Sequence, residues 1–145
     1  MFEGPEVFDG GADEDDIPDD FTLLVHRTIR SGQSIYYPGN VVILGDVNPG
    51  SEVVAGGSII VLGSCRGMAH AGANGNWRAT VTAFRLQPIQ LRIAHYVSRA
   101  PDDEEKGVGG GGPETARVVN GQVVIEPYGD GISRSFKLGY EQPKD

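Results

Sequence analysis

The chain has 145 residues, enough for one ordinary domain, and its 20 acidic against 12 basic residues give a net charge of −8. No run of about 18 apolar residues exists to span a bilayer, the acidic N-terminus lacks the basic-then-apolar order of a secretory signal, and a single cysteine, Cys65, excludes a disulfide framework or a cysteine-ligated zinc site. Lysine is absent from residues 1–105, so the clustered basic side chains of a dedicated nucleic-acid binder are missing.

The charge is unevenly placed. Residues 1–20 hold nine acids and no base, with Gly and Pro but no apolar periodicity. That composition predicts a disordered acidic arm or linker. Residues 21–99 hold seven arginines against Asp46 and Glu52.

From Phe21 onward β-type patterning begins. Residues 21–25 form a short apolar run, and Arg30-Ser31-Gly32-Gln33 reads as a polar turn. A repeat follows. Gly39-Asn40-Val41-Val42-Ile43-Leu44-Gly45 aligns with Gly57-Ser58-Ile59-Ile60-Val61-Leu62-Gly63 at an offset of 18 residues. The same offset sets Val47 on Cys65, Val53 on Ala71, Ala55 on Ala73 and Gly57 on Gly75. Short strands separated by glycine corners at a fixed period predict a β-solenoid, and 18 residues suit three faces of about six each. About four such coils fit between residues 21 and 99. A β-sandwich would explain the alternation but not the 18-residue match.

Side chains alternate in and out along a strand. Val41, Ile43, Ile59 and Val61 form one set; Val42, Leu44, Ile60 and Leu62 form the other. Both are apolar, so either parity leaves an apolar stripe on the outer surface. Such a stripe calls for a partner. A homodimer through Val42, Leu44, Ile60 and Leu62 is the expected cover, with the chain's own C-terminal segment as the other occupant.

Residues 79–97 alternate well, and Pro88 marks a corner or edge because it cannot donate to a ladder. Residues 102–113 read as a Gly-rich loop. Residues 115–126 read as a strand pair around Asn120-Gly121, a hairpin-type signal. Residues 128–145 read as a flexible tail, which places the domain at 21–127.

Chemistry has little support. His26, His70 and His95 are far apart in sequence, and no catalytic, cofactor-binding or metal-ligating set is read from them. The glycines of residues 107–112 match G-x-G-x-x-G, but acids precede them and Pro113 follows, so the strand-then-helix context is missing. Cys65 aligns with Val47 and reads as a small buried apolar residue. The turn at residues 30–33 stands out because a guanidinium, a hydroxyl and an amide can present several donors to another protein.

That turn also carries a family resemblance. Arg30-Ser31-Gly32-Gln33-Ser34-Ile35-Tyr36 resembles the R-S-G-Q-x-I-Y signature that opens the C-terminal domain of the MinC family of septum-site-determining proteins. Residues 42–55 resemble that family's first full coil. Residues 57–63, Arg66-Gly67, Ala69-His70-Ala71-Gly72-Ala73 and Gly75 resemble its second and third, and residues 79–94, 116–119 and 123–127 its closing part. The resemblance spans roughly residues 23–127. It implies a right-handed triangular parallel β-helix that dimerises through one face and has no enzymatic activity or cofactor. It implies a MinD-type ATPase as partner, bound through Arg30, Ser31, Gly32 and Gln33, and a contribution to inhibiting FtsZ assembly. The implied location is cytoplasmic, with membrane contact only through MinD and no nucleic acid. The family's usual N-terminal domain is not matched by the acidic arm, so a naturally short form or a piece of a longer chain is expected, with weaker FtsZ inhibition. Two rival classes are a bactofilin-like β-helix that stacks end to end and a hexapeptide-repeat acyltransferase, whose catalytic histidine has no match here.

Overall fold

The structure, a computed structural model, describes residues 6–7, 21–99 and 112–129. The rest of the acidic arm, most of the Gly-rich loop, and the tail from residue 130 lie outside the described residues. Every element is a strand: β1 (Glu6–Val7), β2 (Thr22–Val25), β3 (Ser34–Tyr37), β4 (Asn40–Ile43), β5 (Glu52–Ala55), β6 (Ile59–Cys65), β7 (Met68–Ala71), β8 (Val81–Leu86), β9 (Gln90–Ile93), β10 (Tyr96–Arg99), β11 (Glu114–Val119) and β12 (Gln122–Pro127). Glu6–Val7, within the stretch read as an arm, pairs parallel with Ile35 and Tyr36.

Two six-stranded sheets interleave in sequence. One runs β1-β3-β5-β7-β9-β10 and the other β12-β11-β8-β6-β4-β2. A chain that alternates between two parallel sheets is winding. The third side is narrow, closed by parallel bridges from Ile29 to Val47 to Cys65 and by the pairing of Cys65 with Leu86. Each coil is thus a strand, a bridging residue and a second strand, and four coils stack: β2 to β3, β4 to β5, β6 to β7, and β8 to β9. The triangular β-solenoid expected from the repeat is what forms.

The core is one column per inward position. Ile35 and Val53, Val41 and Ile59, and Val47 and Cys65 are ladder partners, and all six are fully buried. Burying each aliphatic side chain contributes about 1.5–3 kcal/mol. Its β-branched residues also suit the pleated backbone.

Register holds at 18 residues for Leu23 on Val41, Ile35 on Val53 and Val41 on Ile59. It then departs from the expected alignment. Val53 pairs with Ala69, not Ala71, and Val54 with His70. The reason is a shorter corner: Asn48-Pro49-Gly50-Ser51 in the second coil is replaced by Arg66-Gly67 in the third. The next corner expands in compensation, so Ile59 pairs with Val81. Gly75, expected to match Gly57, lies in that expanded corner at φ +108°.

The C-terminal end is finished by hairpins. β10 pairs antiparallel with β9, and β11 pairs antiparallel with both β8 and β12. Asn120 and Gly121 both take positive φ, at 52° and 79°, as a two-residue type I′ turn requires. Pro88 is a corner, lying between β8 and β9.

Corners are stapled by side chains. Asn40 Oδ1 accepts from the Ser58 N–H at 2.8 Å, and Ser58 Oγ accepts from the Thr80 N–H at 3.0 Å. Corners also approach closely. A Cβ on Gly56 would lie 2.1 Å from the Pro38 carbonyl oxygen of the coil below. Both groups are backbone, so the coils themselves must separate. Gly56→Ala is expected to cost about 3 kcal/mol, within the range of strain-type substitutions, read as a lowered midpoint in chemical denaturation with an unchanged slope.

Candidate protein-docking sites

The corner before β3 is built by its neighbours. Fully buried Ile29 pins its start, and Arg30, Ser31 and Gly32 project into solvent. The turn closes when the Gln33 N–H donates to the Arg30 carbonyl at 2.9 Å. Gly32 takes φ +88°, a conformation that glycine adopts without Cβ strain. The Gly32 N–H donates to Gly50 O of the next coil at 2.9 Å, laying one corner on the other.

Gln33 works inward. Its Oε1 accepts from the Arg30 N–H at 2.7 Å and from Arg27 Nη1 at 3.2 Å. Sequence alone grouped Arg30, Ser31, Gly32 and Gln33 as one set of donors. The geometry divides them: Gln33 braces the turn and Gly32 shapes it, while Arg30 and Ser31 face outward. Among the described residues the Arg30 guanidinium makes no hydrogen bond or ion pair. A fixed turn that presents an unpaired guanidinium suits capture of a carboxylate.

The second site is the outer face of the β12-β11-β8-β6-β4-β2 sheet. Val41, Ile43, Ile59 and Val61 point inward at 0% exposure, which decides the parity left open by the sequence. Val42, Leu44, Ile60 and Leu62 therefore point outward. Ile60 and Leu62 are 39% and 42% exposed, and Val42 and Leu44 are half-buried. Leu24 and Phe84 extend the stripe at 51% and 52% exposure. Leu24 stood one 18-residue step before Val42 and was legible; Phe84 was hidden by the changed offset. A groove of about 630 Å³ runs along this face, with Pro113 and Tyr128 at its hairpin end. The described C-terminal hairpin lengthens the sheet and leaves the stripe open.

Among the described residues the three histidines do not come together beside these surfaces. His70 Nε2 lies 3.0 Å from the Ala94 carbonyl, His95 stacks on Tyr96, and His26 is exposed elsewhere. Among the described residues no group of three or more His, Cys, Asp or Glu could hold a metal ion. The Gly-rich run is followed by strand β11 where a phosphate site would need a helix.

A model of the septum formation inhibitor MinC, C-terminal domain, matches residues 23–128, from β2 to the end of the last hairpin. The chain belongs to the MinC C-terminal domain family. It is 62% identical over 110 residues to a probable septum site-determining protein MinC of Heliobacterium modesticaldum, covering 76% of this chain and 37% of that protein. A Clostridium novyi MinC of the same description is 53% identical over 107 residues, covering 74% and 50%. The chain thus spans half or less of the length of these relatives. Its fold matches a chain of a solved MinC:MinD cell division protein complex from Aquifex aeolicus at a TM-score of 0.70 and 36% identity, covering 85% of this chain and 98% of that one. Among the described residues no helix is long and apolar enough to cross a membrane.

Within this MinC-family solenoid Cys65 is core. It is fully buried, and burial pushes its thiol up to about 12, partly offset by the Gly67 backbone N–H. The folded pKa is raised, so the unfolded chain releases the thiol proton first as pH climbs. Stability is therefore unaffected below the ordinary thiol value of 9.0 and falls as pH rises from there toward 12. Native protein at pH 8 is expected to leave a thiol reagent unreacted until denaturant is added. Prompt stoichiometric labelling without denaturant would contradict the buried placement.

Proposed function

We propose that this chain is a non-enzymatic adaptor in the selection of the division site. It dimerises through the apolar face around Ile60 and Leu62. It docks on a membrane-associated MinD-type ATPase through the corner formed by Arg30, Ser31, Gly32 and Gln33. It thereby contributes to restraining FtsZ assembly at the membrane, to which it is recruited from the cytoplasm through its partner.

The single observation that carries the docking assignment is the braced corner: Gln33 locks the turn, and among the described residues the Arg30 guanidinium has no partner. Similarity to a chain of a MinC:MinD complex, at 36% identity over nearly all of that chain, supports the choice of partner. Support for the dimer is the exposed apolar stripe with no described cover. An end-to-end polymer fits less well. Its last coil would need open parallel edges, and here antiparallel strands β10 and β11 occupy both.

With the cognate MinD, ATP and vesicles, the chain is expected to co-sediment, and Arg30→Ala to lower the bound fraction about tenfold at matched concentrations. A chain that stays in solution beside active MinD would remove the docking assignment. For the dimer, Ile60→Asp combined with Leu62→Asp is expected to halve the mass seen by light scattering. Its thermal midpoint should shift little beyond the loss of the interface, because both side chains point outward. A wild-type monomer at tens of micromolar would remove the dimer.

A further inference from the structure

The solenoid's third side carries a second feature beside the Arg30 corner. The bridges Ile29 to Val47 to Cys65 fix a column of inward residues. The residue after each is Arg30, Asn48 and Arg66, so these follow one another up the outside. Arg30 and Arg66 are both exposed, two rungs apart, about 10 Å at ladder spacing. Arg85 lies on the next rung, but one residue before the inward column, in register with Ser64 at the end of β8, so it flanks this file at the side's edge. Among the described residues none of these three guanidiniums has a hydrogen-bond or ion-pair partner.

Among the described residues the charge on this side is unbalanced. Asp46 and Glu52 are the only acids in residues 21–99. Asp46 already accepts the Ser64 N–H through Oδ1 at 2.8 Å, and Glu52 belongs to β5 on the neighbouring side. Among the described residues this leaves Arg30 and Arg66 unpaired on one rigid file, with unpaired Arg85 beside it at the β8 edge. Rigid spacing matters, because a guanidinium whose backbone is fixed loses less freedom when it pairs.

We propose that Arg66, seconded by Arg85, is a further anchor for the same MinD-type partner, so that the docking surface runs up the solenoid's third side and takes an acidic strip spanning at least two rungs. This extension rests on the adaptor reading. It assigns the two added arginines to carboxylates of the partner protein.

The test uses the full chain and the cognate MinD held in its ATP-bound state without lipid, with affinity measured by titration calorimetry at several salt concentrations. Arg66→Ala is expected to weaken binding about fivefold and to lower the salt dependence. Arg66→Glu and Arg85→Glu should weaken it further. Arg92→Ala, exposed on another side, should bind as wild type. Unchanged melting of each variant separates lost contacts from lost folding. If Arg30→Ala weakens binding while every Arg66 and Arg85 variant binds as wild type, the extension is wrong and the adaptor reading stands. If Arg30→Ala also binds as wild type, both fall. If the Arg66 variants keep full MinD affinity but lose retention on MinD-free anionic vesicles, the arginines serve lipid and the extension is likewise overturned.

Discussion

Everything in this molecule depends on one constraint: each coil must lie in register on the coil below it. Ladder hydrogen bonds supply the spacing, but they are indifferent to which residue pairs with which. Register comes from the columns of buried Ile and Val, because a slip of one residue would turn an inward set outward. In this chain that safeguard is unusually weak on the β4 and β6 side, where Val42 and Ile60 are as apolar as Val41 and Ile59. The corners supply what the strands lack. Asn40, Ser58 and Thr80 bond from coil to coil, and Asp46 holds the Ser64 N–H, so each turn is located by a polar contact that a slipped register would break.

The same corners are where function is proposed to reside. Strand positions are spent on the core and the ladders, whereas corner residues are exposed yet held by the stack beneath them. That combination favours recognition, since a loop on a rigid scaffold presents its side chains with little ordering cost. Gln33 illustrates the division of labour. Its backbone N–H donates to the Arg30 carbonyl to close the turn, and its side-chain oxygen accepts from the Arg30 N–H and from Arg27 Nη1. Under the proposed reading, Gln33 contributes to docking by fixing the turn from which Arg30 projects.

The repeat was readable because it is written twice almost verbatim, in residues 39–45 and 57–63. The fold class, the four coils, the Asn120-Gly121 hairpin and the burial of Cys65 all follow from it or from local turn chemistry. Where reading failed, the cause was corner length. Corners obey no periodicity, and they change without disturbing the strands they join. Contraction to Arg66-Gly67 moved Val53 from Ala71 to Ala69, and expansion over residues 72–80 hid Phe84 from the apolar stripe. Parity was illegible for a different reason: with both faces of a strand apolar, alternation carries no information about which side is inside. The inward brace of Gln33 was likewise invisible, because a side-chain amide gives no sequence sign of whether it turns to its own backbone or to solvent.

That double apolarity is itself informative. A strand that needed only a core would place polar residues outside, as antiparallel faces in water commonly do. Leu24, Ile60, Leu62 and Phe84 instead stay exposed on one side, while the third side presents arginines that are unpaired among the described residues. Two surfaces of opposite character on one rigid prism cannot serve the same contact. Under the proposed reading the apolar side joins two copies, and each copy keeps its arginine corner free. A dimer then meets a membrane crowded with its partner through two corners at once. The second contact becomes intramolecular and strengthens attachment without any added interaction. The separation of surfaces, more than the strength of either, would let a small solenoid act as a bridge.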